Sequence, residues 1–194
     1  VDERMNGLGA NWFQASDGTE VHLSANPHAA IDYGDQLAEV EQRLAGAGVA
    51  FKAVEGLTAP DGSALRWTCE CTYPVLHWMR HRDDHQVARF VKLAQAGRIE
   101  VTAMFAVLSQ CVPHEGTWRQ LYPLRTLRQD YALSIRSAMQ CDINGQHWGL
   151  VDALCDTGIE NFAMAINEHL GRAAFNSIRP NGFWWQSAAG NRIL

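Results

Sequence analysis

Asp142 is the carboxylate best placed for chemistry in this sequence. It follows a strand-like run, Ile135 to Gln140, and precedes Ile143-Asn144-Gly145, where the glycine lets the backbone turn sharply before the next helix. In wound α/β sheets, groups at the carboxyl ends of strands carry the chemistry, and a carboxylate there acts on a ligand or caps the following helix. Position alone leaves both roles open. His114 and Glu115 follow the apolar run Ile99 to Leu108. Glu115 is either a ligand contact or a first-turn carboxylate favoured by the helix dipole. Asn167-Glu168-His169 follows Ile159 to Ala165 and offers a polar cluster at a strand end, with plain loop structure as the alternative. His77, His81 and His85 recur at i+4 but sit among Arg80, Arg82, Asp83 and Asp84, with a helix break expected near Asp83; they read as a solvated polar face. Cys69 and Cys71 lie two apart in a strand-like run and read as small buried hydrophobes. The sequence contains no Gly-rich phosphate loop, Ser-His-Asp order or nucleophile elbow.

The elements that must position these groups alternate. Thr19 to Ala25 predicts a strand and Gln36 to Leu44 a helix, with Leu37, Val40, Leu44 and Ala45 at helical spacing. Leu57 to Ser63 is turn chemistry, Leu65 to Cys71 a strand, and Pro74 fits the first turn of a helix running through Arg80. Asp84 caps a helix with Val87, Phe90, Val91 and Ala94 on one stripe, Gly97 stops it, and Ile99 to Leu108 is the next strand. Trp118 to Tyr131 predicts a helix, Ile135 to Gln140 a strand, Trp148 to Asp156 a helix stopped at Gly158, and Ile159 to Ala165 a strand. Asn191 to Leu194 reads as the start of another. Strands and helices in alternation with short connections imply parallel strands and right-handed crossovers, hence an α/β fold, either an open wound sheet or part of a barrel.

Composition bounds the partners. The 194 residues are 47% hydrophobic and 19% charged, which suits one globular domain or a piece of a larger chain. Sixteen Lys and Arg against 21 Asp and Glu leave a net charge of −5, so the positive field that nucleic acid needs is absent. No run of about 18 apolar residues exists to span a bilayer. Five cysteines, an odd number without the dense spacing of a disulfide scaffold, point to a reducing cytoplasm. A first residue Val1, no basic and apolar leader, and a final strand cut short point to a fragment lacking both ends.

From Arg66 to the end the chain resembles glycoside hydrolase family 38, the α-mannosidases, in particular its bacterial branch. The residues carrying the likeness are Arg66-Trp67-Thr68-Cys69-Glu70, Gly97-Arg98-Ile99-Glu100, Ser137 to Gly145 (SAMQCDING) and Phe183-Trp184-Trp185 with Gly190 beyond. Residues 1–60 match poorly. The resemblance implies that 1–194 is one partial N-terminal catalytic domain, its βα units forming part of a seven-stranded α/β barrel. It also implies that Asp142 is both the nucleophile and a ligand of an active-site zinc. A retaining glycosidase forms a glycosyl ester on one carboxylate while a second, about 5–5.5 Å away, serves as acid and then base. Zinc held by His nitrogen and carboxylate oxygen, with a position left open, would grip vicinal hydroxyls of the sugar.

One segment departs from the family. Where the family has a His-x-Asp-x-Gly run, this chain has Ala30-Ile31-Asp32-Tyr33-Gly34, so Asp32 is retained as a metal ligand and His28 is the candidate substitute for the missing histidine. A further histidine ligand and the acid/base aspartate have no matching positions, so the chain alone is expected to be inactive. Trp148, six residues past Asp142 at a helix start, offers a ring for stacking on a sugar, whereas Trp67, Trp184 and Trp185 read as core. Trp148, Glu115 and His169 are the candidate substrate contacts. The partner implied is a carbohydrate, and a homo-oligomer stays open. Two alternatives remain: a barrel that has lost its metal and only binds carbohydrate, and a metal hydrolase resembling polysaccharide deacetylases, with His28 and Asp32 around an activated water.

Overall fold

The computed structural model describes residues 10–14, 21–25, 54, 56, 64, 66–106, 112–141, 143, 145–165 and 182–194. The expected helix at Gln36 to Leu44 and turn at Leu57 to Ser63 lie outside them. Four strands form one sheet in chain order: β1 (Ala10–Gln14), β2 (Val21–Ala25), β3 (Arg66–Cys69) and β4 (Ile99–Val101). β2, β3 and β4 are parallel, with Leu23 opposite Trp67 and Trp67 opposite Ile99. β5 (Ser137–Cys141) and β6 (Asn161–Ala165) are parallel, Ala138 facing Phe162. A small hairpin, β7 (Trp185–Gln186) and β8 (Arg192–Ile193), follows.

Backbone bonds join these groups. Ala103 N–H donates to Ser137 O at 2.9 Å, linking the segment after β4 to the start of β5. Phe162 N–H donates to Leu194 O at 2.7 Å, seating the end of the hairpin beside β6. The fold is therefore mixed α/β, as expected. The alternation is not uniform, because β1 pairs antiparallel with β2 and β7 with β8. The described residues form one four-stranded and two two-stranded sheets, and no closed barrel is seen among them.

The strand expected over Ile99 to Leu108 ends at Val101. The reason is the neighbouring helix, α1 (Thr72–Arg80). Its N-cap, Cys71, has no side chain able to cap. The free N–H groups of its first turn are instead met by carbonyls of the post-β4 segment: Thr72 N–H by Met104 O at 2.8 Å and Tyr73 N–H by Phe105 O at 2.9 Å. These bonds go to the first turn of a helix rather than to a strand partner.

α2 (Asp84–Gln95) starts one residue earlier than expected, because its cap is one residue earlier. Asp83, not Asp84, accepts the Gln86 N–H, at 2.8 Å. Phe90 is buried, with Val87, Val91 and Ala94 packed against the core, and Gly97 at φ +69° closes the helix in a left-handed stop. The break between α1 and α2 keeps His77, His81 and His85 off any common helix.

The single helix expected over Trp118 to Tyr131 is two, α3 (His114–Arg119) and α4 (Pro123–Gln129). Pro123 lacks the N–H that would bond Arg119 O, and its ring would strike that carbonyl. The chain between takes tighter i to i+3 bonds instead, Leu121 N–H to Trp118 O and Tyr122 N–H to Arg119 O. α5 (Gly149–Asp156) follows β5 and stops at Gly158, φ +74°.

The core is continuous across these elements. Trp67, Phe90, Ile99, Leu127, Leu150 and Leu154 are all buried in one cluster. Cys69 and Cys71 are buried too, although Cys71 lies beyond β3, and desolvation pushes the Cys69 thiol up to about 12. Such a thiol is inert at neutral pH. No helix among the described residues is long and apolar enough to cross a membrane.

Candidate functional site

The carboxyl ends of β3 and β5 meet at one buried carboxylate. Glu70, the residue after β3, is 1% exposed, and its Oε1 accepts the backbone N–H of Cys141, the last residue of β5, at 2.7 Å. The Glu70 carbonyl in turn accepts the Thr102 hydroxyl, and Thr102 N–H donates to Cys69 O at 2.9 Å. The three strand ends are thus tied to one another.

The loop leaving β5 is pinned at its other shoulder as well. Gln140 is fully buried, donates through Nε2 to Ala106 O at 3.3 Å, and accepts through Oε1 from Gln146 Nε2 at 3.0 Å. Inside that closure Gly145 takes φ +118° and its N–H bonds Ile143 O at 3.0 Å, a turn that a side chain would strain. Asp142 occupies this loop in the sequence but lies outside the described residues, as do Asp32, His28 and His169.

Past the loop, His147 Nε2 meets the hydroxyl of buried Thr117 at 2.9 Å, joining the entry of α5 to α3. Desolvation, aided by nearby His114, holds the His147 imidazole below its ordinary pKa. His114 Nε2 accepts the Trp118 indole N–H at 3.0 Å, which makes its Nδ1 the protonated nitrogen of the neutral ring. Glu115 is exposed on the first turn of α3, with Arg119 donating to its Oε1 through both Nε, at 3.0 Å, and Nη2, at 2.5 Å.

Trp148 is 62% exposed, its ring centroid 5.9 Å from that of Trp185, which stacks on Phe162 at 6.1 Å. Trp67 is core as expected and Trp185 packs against the core cluster, but Trp184 is 61% exposed under the Arg192 guanidinium, 5.5 Å from the ring centre. Trp184 directly precedes the two-residue strand β7. Asp152 of α5 accepts Ser187 Oγ at 2.5 Å and Asn191 Nδ2 at 2.8 Å, and these bonds hold its carboxyl below the usual carboxylate range. They fasten the β7–β8 turn to α5.

Of the expected site residues, the structure therefore places Trp148 and Glu115, on the loops and helices that follow β5 and β4. It adds Glu70, Gln140, Thr117 and His147. Glu70 had a signal, a charged residue directly after a strand, whereas Thr117 and Gln140 had none, since a polar residue inside an element announces nothing until its partner is known. Among the described residues no group of three His, Cys, Asp or Glu side chains could hold a metal ion.

Parallel strands with helical crossovers, and polar groups gathered past the strand ends, define an α/β domain of the kind that works on ligands at its carboxyl face. The chain matches the sequence model of the glycosyl hydrolases family 38 N-terminal domain over residues 20–194, and it belongs to that family. The match includes His28, Asp32 and Asp142. Solved structures share the fold at low identity. An alpha-mannosidase from Enterococcus faecalis V583 superposes with a TM-score of 0.59 at 15% identity, over 80% of this chain and 17% of that one. A 4-alpha-glucanotransferase from Thermococcus litoralis gives 0.58 at 15% identity, over 81% and 25%. A further glycosyl hydrolase family 38 protein from Enterococcus faecalis gives 0.58 at 13%, over 80% and 16%. The chain thus spans a quarter or less of each of these proteins. No curated protein matches it.

Proposed function

We propose that this chain is part of the catalytic domain of a retaining, zinc-dependent, α-mannosidase-like glycoside hydrolase, its units contributing to a seven-stranded barrel. The observation that carries the reading is the family match over residues 20–194, which takes in Asp32 and Asp142 together. Asp142 is the nucleophile: its carboxylate oxygen attacks the anomeric carbon, the glycosidic oxygen leaves with a proton from an acid outside this chain, and water later cleaves the glycosyl-aspartate ester. His28, Asp32 and Asp142 supply one nitrogen and two oxygen donors, a set that suits a catalytic zinc with an open position. When bound, the metal would polarise the sugar hydroxyls and favour ring distortion. Trp148, with most of its ring open to solvent, stacks on the apolar face of a sugar, and Glu115 and His169 contact hydroxyls. The substrate is a carbohydrate and the working compartment the cytoplasm.

The test is hydrolysis of an aryl α-mannoside by the full-length parent protein, wild type beside Asp142→Asn, with and without a zinc chelator. Loss of turnover in both the variant and the chelated sample is expected. Equal activity of Asp142→Asn and wild type would sink the reading. Ala30, standing where the family has histidine, favours a second reading, a carbohydrate-binding barrel without metal. Sugar binding by calorimetry with no bound zinc and no turnover would establish it instead.

A further inference from the structure

We infer that Glu70 is a positioning residue for Asp142, holding the backbone amide of the residue before it; the inference rests on the proposed role of Asp142. In a parallel strand the N–H and C=O of one residue point to the same side, and residues two apart share that side. Ser137, Met139 and Cys141 therefore turn their backbone groups toward the same edge of β5. At Ser137 that edge is served by the main chain, since Ser137 O accepts from Ala103 N–H at 2.9 Å. Further along, β4 ends at Val101, and the Met104 and Phe105 carbonyls are bonded to the first turn of α1. At Cys141 the same edge of β5 is served by the Glu70 carboxylate, which accepts the Cys141 N–H at 2.7 Å from 71 residues away.

The residue type is informative. Position 70 is 1% exposed and follows core residue Cys69 in the chain, and an apolar side chain there would avoid the cost of burying a carboxyl group. A buried carboxyl is expensive, and this one accepts a hydrogen bond from the amide adjoining Asp142. An ionised carboxylate makes such a bond short and about twice as strong as a neutral acceptor does. Gln140, on the other side of Cys141, is held by the Gln146 side chain at 3.0 Å, so the chain at Cys141, directly before Asp142 in sequence, is bracketed by two contacts. A reacting carboxylate needs such bracketing, because a misplacement of about 1 Å can cost about 100-fold in rate.

The experiment measures kcat and KM for an aryl α-mannoside on the full-length parent protein as wild type, Glu70→Gln, Glu70→Ala and Asp142→Asn, with amide hydrogen exchange at Cys141. Glu70→Gln keeps the shape and one acceptor oxygen, and should lower kcat about 3- to 10-fold at unchanged KM. Glu70→Ala removes the acceptor and should lower kcat about 100-fold with KM within about threefold, while Cys141 exchange accelerates. A kcat unchanged in Glu70→Gln and Glu70→Ala, or reduced only in proportion to the unfolded fraction, overturns the inference. Should Glu70→Ala fail to fold, Glu70→Gln decides alone: wild-type kcat overturns, a reduced kcat at unchanged KM and melting temperature supports. Asp142→Asn separates the two failures. If that variant is inactive while Glu70 variants are normal, only the positioning role falls; if it is fully active, the proposed function falls and takes this inference with it.

Discussion

Thr117 Oγ1 and His147 Nε2 meet at 2.9 Å, thirty residues apart, and this bond couples α3 to the loop that leads from β5 into α5. Thr117 is fully buried, so Thr117→Val keeps the volume but strips the ring nitrogen of its partner. A buried polar atom left unsatisfied costs about 1–3 kcal/mol. Urea denaturation should show that loss as a lower midpoint with an unchanged slope.

The same histidine makes stability depend on pH. Burial and the neighbouring His114 lower its pKa below the ordinary 6.5, so on acidification the unfolded chain takes up a proton that the folded one refuses. Unfolding free energy therefore falls as pH drops below about 6.5 and levels out once the folded pKa has been passed. Asp152, also depressed, acts with the same sign at lower pH: its contribution is full above the unfolded value of 3.8 and is lost as pH falls through the folded one. Urea midpoints measured from pH 7.5 to 5 should fall less steeply in His147→Gln than in wild type. Parallel curves would mean that His147 titrates as it does in the unfolded chain.

Gly158 sits at φ +74° directly after α5, and a Cβ built there would have no neighbour within 4 Å. Gly158→Ala thus isolates the backbone cost of a left-handed residue, about 1–2 kcal/mol. Thermal unfolding should register it as a drop of a few degrees.

Trp148 is 62% exposed, and its removal should leave stability within about 0.5 kcal/mol. If the ring stacks on sugar, Trp148→Ala should raise KM for an aryl α-mannoside about tenfold, the worth of one aromatic contact. An unchanged KM would take Trp148 out of the substrate site.

The local grammar of this chain was legible in its sequence. Gly97 and Gly158 end helices where the apolar period stops, Arg66 to Cys69 and Asn161 to Ala165 are strands, and Glu70 stands at a strand end, because each signal is set by a residue's own torsional freedom and its near neighbours. Pro123 carried its own warning too, since a proline can open a helix but cannot stand in the interior of one without losing a backbone bond. The joining of elements was not legible. β4 is cut to three residues because α1 claims the carbonyls that follow it, a competition between segments 32 residues apart. The bonds Glu70 to Cys141, Thr117 to His147 and Asp152 to Ser187 pair groups 71, 30 and 35 residues apart. A buried polar group declares only that it needs a partner; which partner it finds is decided by packing, when strand ends and helix starts are brought within hydrogen-bond reach of one another.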